Sequence, residues 1–107
     1  MSTISVVISA RNEEVKIGRT LQAISWADEI ILVDSDSSDT TVSIAKKFTK
    51  KIFKRANNPM LNVNKNFGFT KASGDWILCL DADEVVTDDL AKEIRSRTQN
   101  SELNDQN

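Results

Sequence analysis

Gly74-Asp75-Trp76-Ile77-Leu78-Cys79-Leu80-Asp81-Ala82-Asp83-Glu84 places a chain breaker, an apolar run and a terminal cluster of carboxylates in one short stretch. An apolar run bounded by turn-forming residues has the pattern of a strand covered on both faces, and such strands belong to parallel sheets. The same pattern stands twice upstream. Ile4-Ser5-Val6-Val7-Ile8 ends in Ser9-Ala10-Arg11-Asn12, and Glu29-Ile30-Ile31-Leu32-Val33-Asp34 runs into Ser35-Asp36-Ser37-Ser38-Asp39, which is dense in turn and cap formers.

Between these runs, apolar residues recur at helical spacing. Asn12 is placed to cap a helix with Glu13 and Glu14 in its first turn and Ile17, Leu21 and Ile24 on one face. Thr41, Ile44, Ala45 and Phe48 give a second stripe, followed by Lys51-Ile52-Phe53-Lys54, a short charged strand suited to a sheet edge. Asn58 as cap and Pro59 at the first helical position open a third helix that carries Val63 and Phe67 and ends near Ala72. Thr87 caps a fourth, with Asp88 and Asp89 in its first turn and Leu90 and Ile94 on one face. From about Ser96 the chain is polar and is expected to fray, so residues 1–95 form the domain and 96–107 a tail.

Strands alternating with helices predict an α/β fold, a Rossmann-like parallel sheet with helices on both faces. Ligands of such sheets sit beyond the carboxyl ends of the strands, near the point where strand order reverses. The polar clusters at 9–12, 34–39 and 81–84 are therefore expected to meet on one rim.

Composition bounds what that rim can do. The 107 residues, 39% hydrophobic and 28% charged, are enough for one soluble domain. Fourteen Lys and Arg against sixteen Asp and Glu leave a net charge of −2, so the overall balance marks neither nucleic acid nor anionic lipid as a partner. The absence of histidine removes His-based acid–base chemistry and imidazole zinc sites, leaving oxygen as the metal donor. The single cysteine, Cys79, forbids an internal disulfide and fits a reducing cytoplasm. No apolar run approaches the ~20 residues of a membrane span, and the N-terminus lacks a signal-peptide pattern, so a soluble, unprocessed chain is expected.

Asp81 and Asp83 are two residues apart, and on an extended chain both carboxylates leave the same side and can share one hard cation, Mg2+ or Mn2+. Such ions keep waters and bridge few protein carboxylates to substrate phosphates, which points to a nucleotide diphosphate. The plain alternative for the 81–89 stretch is a solvated, capping acidic turn. Gly18, Gly68 and Gly74 form neither G-x-G-x-x-G nor a P-loop, so any diphosphate must be neutralised by metal and side chains.

Three stretches, ISVVISARNEE (4–14), IILVDSDSSDTT (30–41) and GDWILCLDADE (74–84), together resemble the start of a family 2 glycosyltransferase with the GT-A fold. Within that family, the chain is most similar to bacterial enzymes that add glucose or a related sugar to the lipopolysaccharide core. Asn64-Lys65-Asn66-Phe67-Gly68 and Lys71-Ala72-Ser73-Gly74-Asp75-Trp76 are also similar, and the likeness covers roughly residues 3 to 95. The resemblance implies an inverting, metal-assisted transfer of a sugar from a nucleotide diphosphate donor, with UDP-sugar as the expected partner. It places Ala10, Arg11 and Glu13 along the nucleoside, Asp34 at the base, Lys65 near the diphosphate, Asp81 near ribose and metal, and Asp83 on the metal. It also implies a saccharide or lipid-linked acceptor in the cell envelope, and a cytoplasmic protein that can lie at the inner membrane.

Family members continue past the D-x-D region into an acceptor-binding half that supplies the general base. Here Glu93, Glu102 and Asp105 are the acids after the last helix begins its second turn, and none is a credible base, so no catalytic residue is assigned. The expectation is the donor-binding, N-terminal half of a GT-A fold, incomplete for catalysis, whose shortened sheet exposes an apolar edge and favours self-association. Two alternatives stand: a non-catalytic nucleotide-binding or interaction fragment, and a haloacid-dehalogenase-type phosphatase in which Asp81 is the nucleophile and Asp83 the acid–base. Each residue also has a plain role. Asp34 can end a strand, Asp39 cap a helix, Glu13 complement a helix dipole and Lys65 remain solvated, while Trp26, Trp76 and Cys79 are expected in packing.

Overall fold

A computed structural model of the chain describes residues 2–57 and 63–105. Strands β1 (Ile4–Ala10), β2 (Glu29–Ser35), β3 (Lys51–Arg55) and β4 (Trp76–Asp81) alternate with helices α1 (Ile17–Gln22), α2 (Thr41–Ala45), α3 (Val63–Lys71) and α4 (Asp88–Asp105). The strands form one sheet in the order β3-β2-β1-β4, and every pairing is parallel. This is the Rossmann-like α/β architecture expected from the alternating pattern.

Alternate residues of the central strands serve two helix layers. Val6 and Ile8 of β1 and Ile30 and Leu32 of β2 pack with Ile17, Leu21 and Ile24 of the α1 region, Ala45 of α2 and Ala91 of α4. Val7, Ile31 and Val33 face the other way, onto Phe53, Phe67 and Ala72. Helix α3 covers that second face, and Gly68 is what lets it approach. A Cβ at this position would stand 2.4 Å from Cγ1 of Val7 and 3.1 Å from Cγ2 of Val33.

At the amino ends of the strands, Glu29 is the fastening point. Its carboxylate is buried and accepts hydrogen bonds from the Ser5 hydroxyl (2.6 Å), the Ser73 amide (2.9 Å) and the Ser73 hydroxyl (3.2 Å), and it pairs with Lys51. Burial pushes this carboxyl up, but the Lys51 ammonium and the Ser5 and Ser73 donors outweigh it and hold the pKa at about 2. The Gly74 amide donates in turn to the Ser5 hydroxyl at 2.8 Å. Four segments of the chain are thus tied at one carboxylate.

Several element bounds differ from those read in the sequence, each for a local reason. The first helix starts at Ile17, with Lys16 at its N-cap and no side-chain cap bond. Asn12 adopts φ 53°, a left-handed conformation that asparagine tolerates, and belongs to the preceding loop, so Glu13 and Glu14 do not lie in a helical turn. Helix α2 stops at Ala45, and Phe48 sits in the turn beyond it. Asn58 and Pro59 lie outside the described residues. Thr87 caps α4 as expected, its hydroxyl accepting from the Leu90 amide at 3.1 Å, but the polar stretch after Ser96 continues the helix to Asp105. Trp76 is 40% and Ile77 43% exposed on β4, an edge strand of the sheet, so Trp76 is not the packed residue its strand position suggested. Cys79 is half-buried, and burial pushes its thiol up.

Candidate functional site

The strand order reverses between β1 and β4, which makes the gap beyond their carboxyl ends the expected ligand crevice. Ala10 stands opposite Asp34, and Ser9 opposite Asp81, so the three polar clusters do meet at one end of the sheet. The two registers differ by one residue, and side chains alternate along a strand. Asp34 therefore turns toward the layer of α1 and α2, and Asp81 toward α3.

The first two loops are latched together. The Ser37 hydroxyl donates to Oδ1 of Asp34 at 2.6 Å and accepts the Asn12 amide at 2.9 Å, while the Ser37 amide donates to Oδ2 of Asp34 at 3.0 Å. Oδ1 of Asn12 accepts the Ser38 amide at 2.8 Å. The Glu13 amide donates to the Thr41 hydroxyl at 2.9 Å, and the Thr40 hydroxyl donates to Oε2 of Glu14 at 2.6 Å. Asp39 accepts the Thr41 hydroxyl and amide and the Glu14 amide, and the Thr41 hydroxyl in particular holds its carboxyl below the usual range. The N-cap of α2 is Thr40, without a side-chain cap bond, and Asp39 accepts the first helical amide from one position before it. Asp34 is fully buried with both carboxylate oxygens engaged by Ser37.

The third loop is built differently. Asp81 is the last residue of β4, and the chain turns at Ala82 and Asp83, so the extended geometry that would set both carboxylates on one side does not hold. Glu84 stiffens the turn: its carboxylate accepts the Asp81 amide at 2.7 Å, and its own amide donates to the Asp81 carbonyl at 3.0 Å. Ala82 is buried, and its carbonyl accepts the Thr20 hydroxyl at 2.7 Å, which pins the turn to α1. Lys65 reaches across from α3 and pairs with Oδ1 of Asp81 at 2.7 Å, and that carboxylate raises the lysine above its ordinary range. Asp83 is exposed, and no described residue engages its carboxylate.

Of the residues singled out in the sequence, Ala10 is buried at the end of β1, while Arg11 is exposed and Glu13 half-buried in the first loop. Lys65 and Asp81 are brought into contact, and Asp83 stands free one turn later. The sequence did not mark Ser37, Glu84 or Thr20 as supports for the rim. Ser37 and Glu84 lie within three residues of the carboxylate loops they stiffen, a spacing that Asx-type and capping chemistry would have suggested. Thr20 carried no such signal, because it is 62 residues from Ala82.

Asp81 and Asp83 offer hard oxygen donors, the chemistry that Mg2+ and Mn2+ take. Among the described residues, no group of three or more acidic, cysteine or histidine side chains is arranged to hold a metal ion. A cation here would need further oxygens from a ligand and from water. The exposed Asp83 and the uncommitted Oδ2 of Asp81 are compatible with that shared coordination.

The family model of glycosyl transferase family 2 matches residues 5–102. An uncharacterized glycosyltransferase of Rickettsia typhi is 37% identical over 97 residues, covering 88% of this chain and 32% of the relative. A poly-beta-1,6-N-acetyl-D-glucosamine synthase of Staphylococcus epidermidis is 34% identical over 97 residues, covering 80% of this chain and 23% of its own length. Among solved structures, residues 1–349 of S. aureus TarS superpose with a TM-score of 0.76 at 22% identity, covering 88% of this chain and 31% of that one, a likeness of fold. Glucosyl-3-phosphoglycerate synthase from Mycobacterium tuberculosis, solved with Mn2+ and uridine-diphosphate-glucose, superposes with a TM-score of 0.68 at 28% identity, covering 78% of this chain and 34% of that one. The chain spans about a quarter to a third of the length of these relatives.

Proposed function

Because the chain belongs to glycosyl transferase family 2, we propose that the rim beyond β1, β2 and β4 is the donor subsite of a sugar transferase, taking a nucleotide diphosphate sugar. Family membership displaces the phosphatase alternative. The donor is a UDP-hexose, and the transfer inverts the anomeric centre and delivers the sugar to a cell-envelope saccharide or a lipid-linked acceptor, as in lipopolysaccharide core assembly. The crystallised complex of the mycobacterial neighbour with Mn2+ and uridine-diphosphate-glucose supports both the nucleotide and the ion.

In this reading Ala10, Arg11 and Glu13 line the nucleoside. Asp34 meets the base once Ser37, which holds both of its oxygens, gives way. Lys65 leaves Asp81 to face the diphosphate, a point charge suited to phosphate oxygens. Asp81 turns to the ribose and the ion, and Asp83 holds the ion. A bound Mg2+ or Mn2+ supplies positive charge where the diphosphate leaving group gathers negative charge. The residues of this chain position the donor, and no general base is assigned among them. Among the described residues, no helix is long and apolar enough to cross a membrane; we place the protein in the cytoplasm, at the inner face of the membrane. The exposed Trp76 and Ile77 on the β4 edge support self-association.

The observation that carries this reading is the meeting of an exposed Asp83, the Lys65–Asp81 pair and the latched first and second loops at the switch point of the sheet. Calorimetric titration with UDP-glucose, with and without Mn2+, tests it. Binding is expected to require the metal, and Asp83→Ala is expected to remove at least tenfold of the affinity while leaving the fold intact. Metal-independent binding, or an unchanged Asp83→Ala titration, overturns it.

A further inference from the structure

The net charge of −2 conceals a segregation along the chain. Between Thr40 and Gly74 there are eight Lys and Arg and no Asp or Glu, whereas the rest of the sequence carries six Lys and Arg and all sixteen acids. Four of the eight are already committed by the fold. Lys51 pairs with Glu29, Lys65 with Asp81, and Arg55 and Lys71 lie over the Phe67 ring at 4.0 and 5.4 Å. The other four, Lys46, Lys47, Lys50 and Lys54, are exposed and pair with no acid among the described residues. On β3 itself, side-chain alternation separates the cations. Phe53 and Arg55 turn to α3, while Ile52 and Lys54 turn to the α2 side.

Lys46, Lys50 and Lys54 ring a groove of about 470 Å³ whose remaining walls are Val42, Thr49 and Ile52. We propose that this α2–β3 face is a docking surface for an anionic phospholipid bilayer, with lipid phosphates among the lysine ammoniums and the groove floor against the apolar edge of the headgroup layer. Lysines clustered beside apolar surface are attracted to anionic leaflets in this way. The residue choice separates a lipid surface from a protein partner. All four free cations are Lys, hydrated point charges on flexible stems, whereas protein interfaces are depleted in Lys and enriched in Arg. No exposed aromatic ring lines the groove as a stacking platform for nucleic acid bases. The location also fits a peripheral enzyme. β3 is the sheet edge opposite β4, so a bilayer against it leaves the β1–β4 crevice open.

Co-sedimentation of the chain with vesicles of phosphatidylglycerol and phosphatidylcholine, and with phosphatidylcholine alone, tests the proposal. Binding is expected on the anionic vesicles only and is expected to weaken with added salt. Lys46→Gln/Lys50→Gln/Lys54→Gln is expected to lose on the order of 100-fold in vesicle affinity, and Lys54→Gln alone about fivefold. Both variants are expected to keep the circular dichroism and the UDP-glucose titration of the parent, which separates this outcome from failure of the donor site. Lys92→Gln/Arg95→Gln, which neutralises basic residues on α4, is expected to bind vesicles as the parent does. Equal binding to phosphatidylcholine, an unchanged triple variant, or an equal loss in the α4 variant overturns the proposal. So does absent vesicle binding with an oligomeric state that the groove lysines control in sedimentation velocity, which would make the face a contact between copies.

Discussion

The two ends of the sheet treat carboxylates in opposite ways. At the amino end Glu29 is buried and carries three hydrogen bonds and an ion pair. At the carboxyl end Asp83 is exposed and engaged by nothing described, and Asp81 is held only by a lysine that solvent also reaches. A carboxylate whose partners are all supplied by the protein contributes to stability, whereas one left uncommitted costs little and remains available to a ligand. Asp34 is intermediate: it is buried at the carboxyl end, and both of its oxygens are held by one nearby serine.

The largest difference between the ends should appear on deleting the carboxylates. Glu29→Ala strands the Ser5 hydroxyl, the Ser73 amide and the Lys51 ammonium, and is expected to cost about 3 kcal/mol or more in chemical denaturation. Asp83→Ala is expected to stay within about 0.5 kcal/mol of the parent in the same measurement. Equal losses would erase the distinction.

Helix α3 joins the two ends, carrying Lys65 toward the rim and leading through Ser73 to Glu29. Gly68→Ala drives a methyl into Val7 and Val33, so α3 must shift from the sheet, at an expected cost of about 1 to 3 kcal/mol. The same variant is expected to weaken UDP-glucose binding, because Lys65 moves with the helix. A loss of stability with unchanged binding would show that the two ends are uncoupled.

Acid gives a smaller effect than deletion of Glu29 and sharpens the comparison. The Glu29 pKa is lowered from 4.5 to about 2 in the folded chain, so its contribution is fully present above about pH 4.5 and is lost as the pH falls toward 2. With the Lys51 side chain 55% exposed, solvent screening limits that contribution to on the order of 1 to 2 kcal/mol. Denaturation midpoints followed from pH 5 to pH 2, about the span of the two pKa values, should fall in the parent and fall less steeply, from a lower start, in Glu29→Gln, where Asp39 still titrates.

The fold was legible because its signals are local. Apolar runs at β1, β2 and β4, each closed by polar residues, and β-branched content sufficed to place the strands and to put 9–12, 34–39 and 81–84 at one end. The start of the first helix was not legible because Asn12 and Glu13-Glu14 imitate a cap and an acidic first turn, while Asn12 in fact takes a left-handed backbone and bonds Ser37 and Ser38 across the rim. The turn at Ala82 escaped for a similar reason, since Thr20, which holds it, is distant in sequence.

Residue order alone thus determined the alternation of strand and helix, the end of the sheet at which acids gather, and the pairing of Asp81 and Asp83 within one short motif. Tertiary structure alone decided which carboxylates are spent on stability and which remain free, and which lysines of the basic segment face outward. Glu29 obtains Ser73 from 44 positions away and Asp34 obtains Ser37 from three, a difference no composition or periodicity records. Hydrogen-bond satisfaction and desolvation depend on distances in space, and the packing of α3 and the register of the parallel strands set those distances.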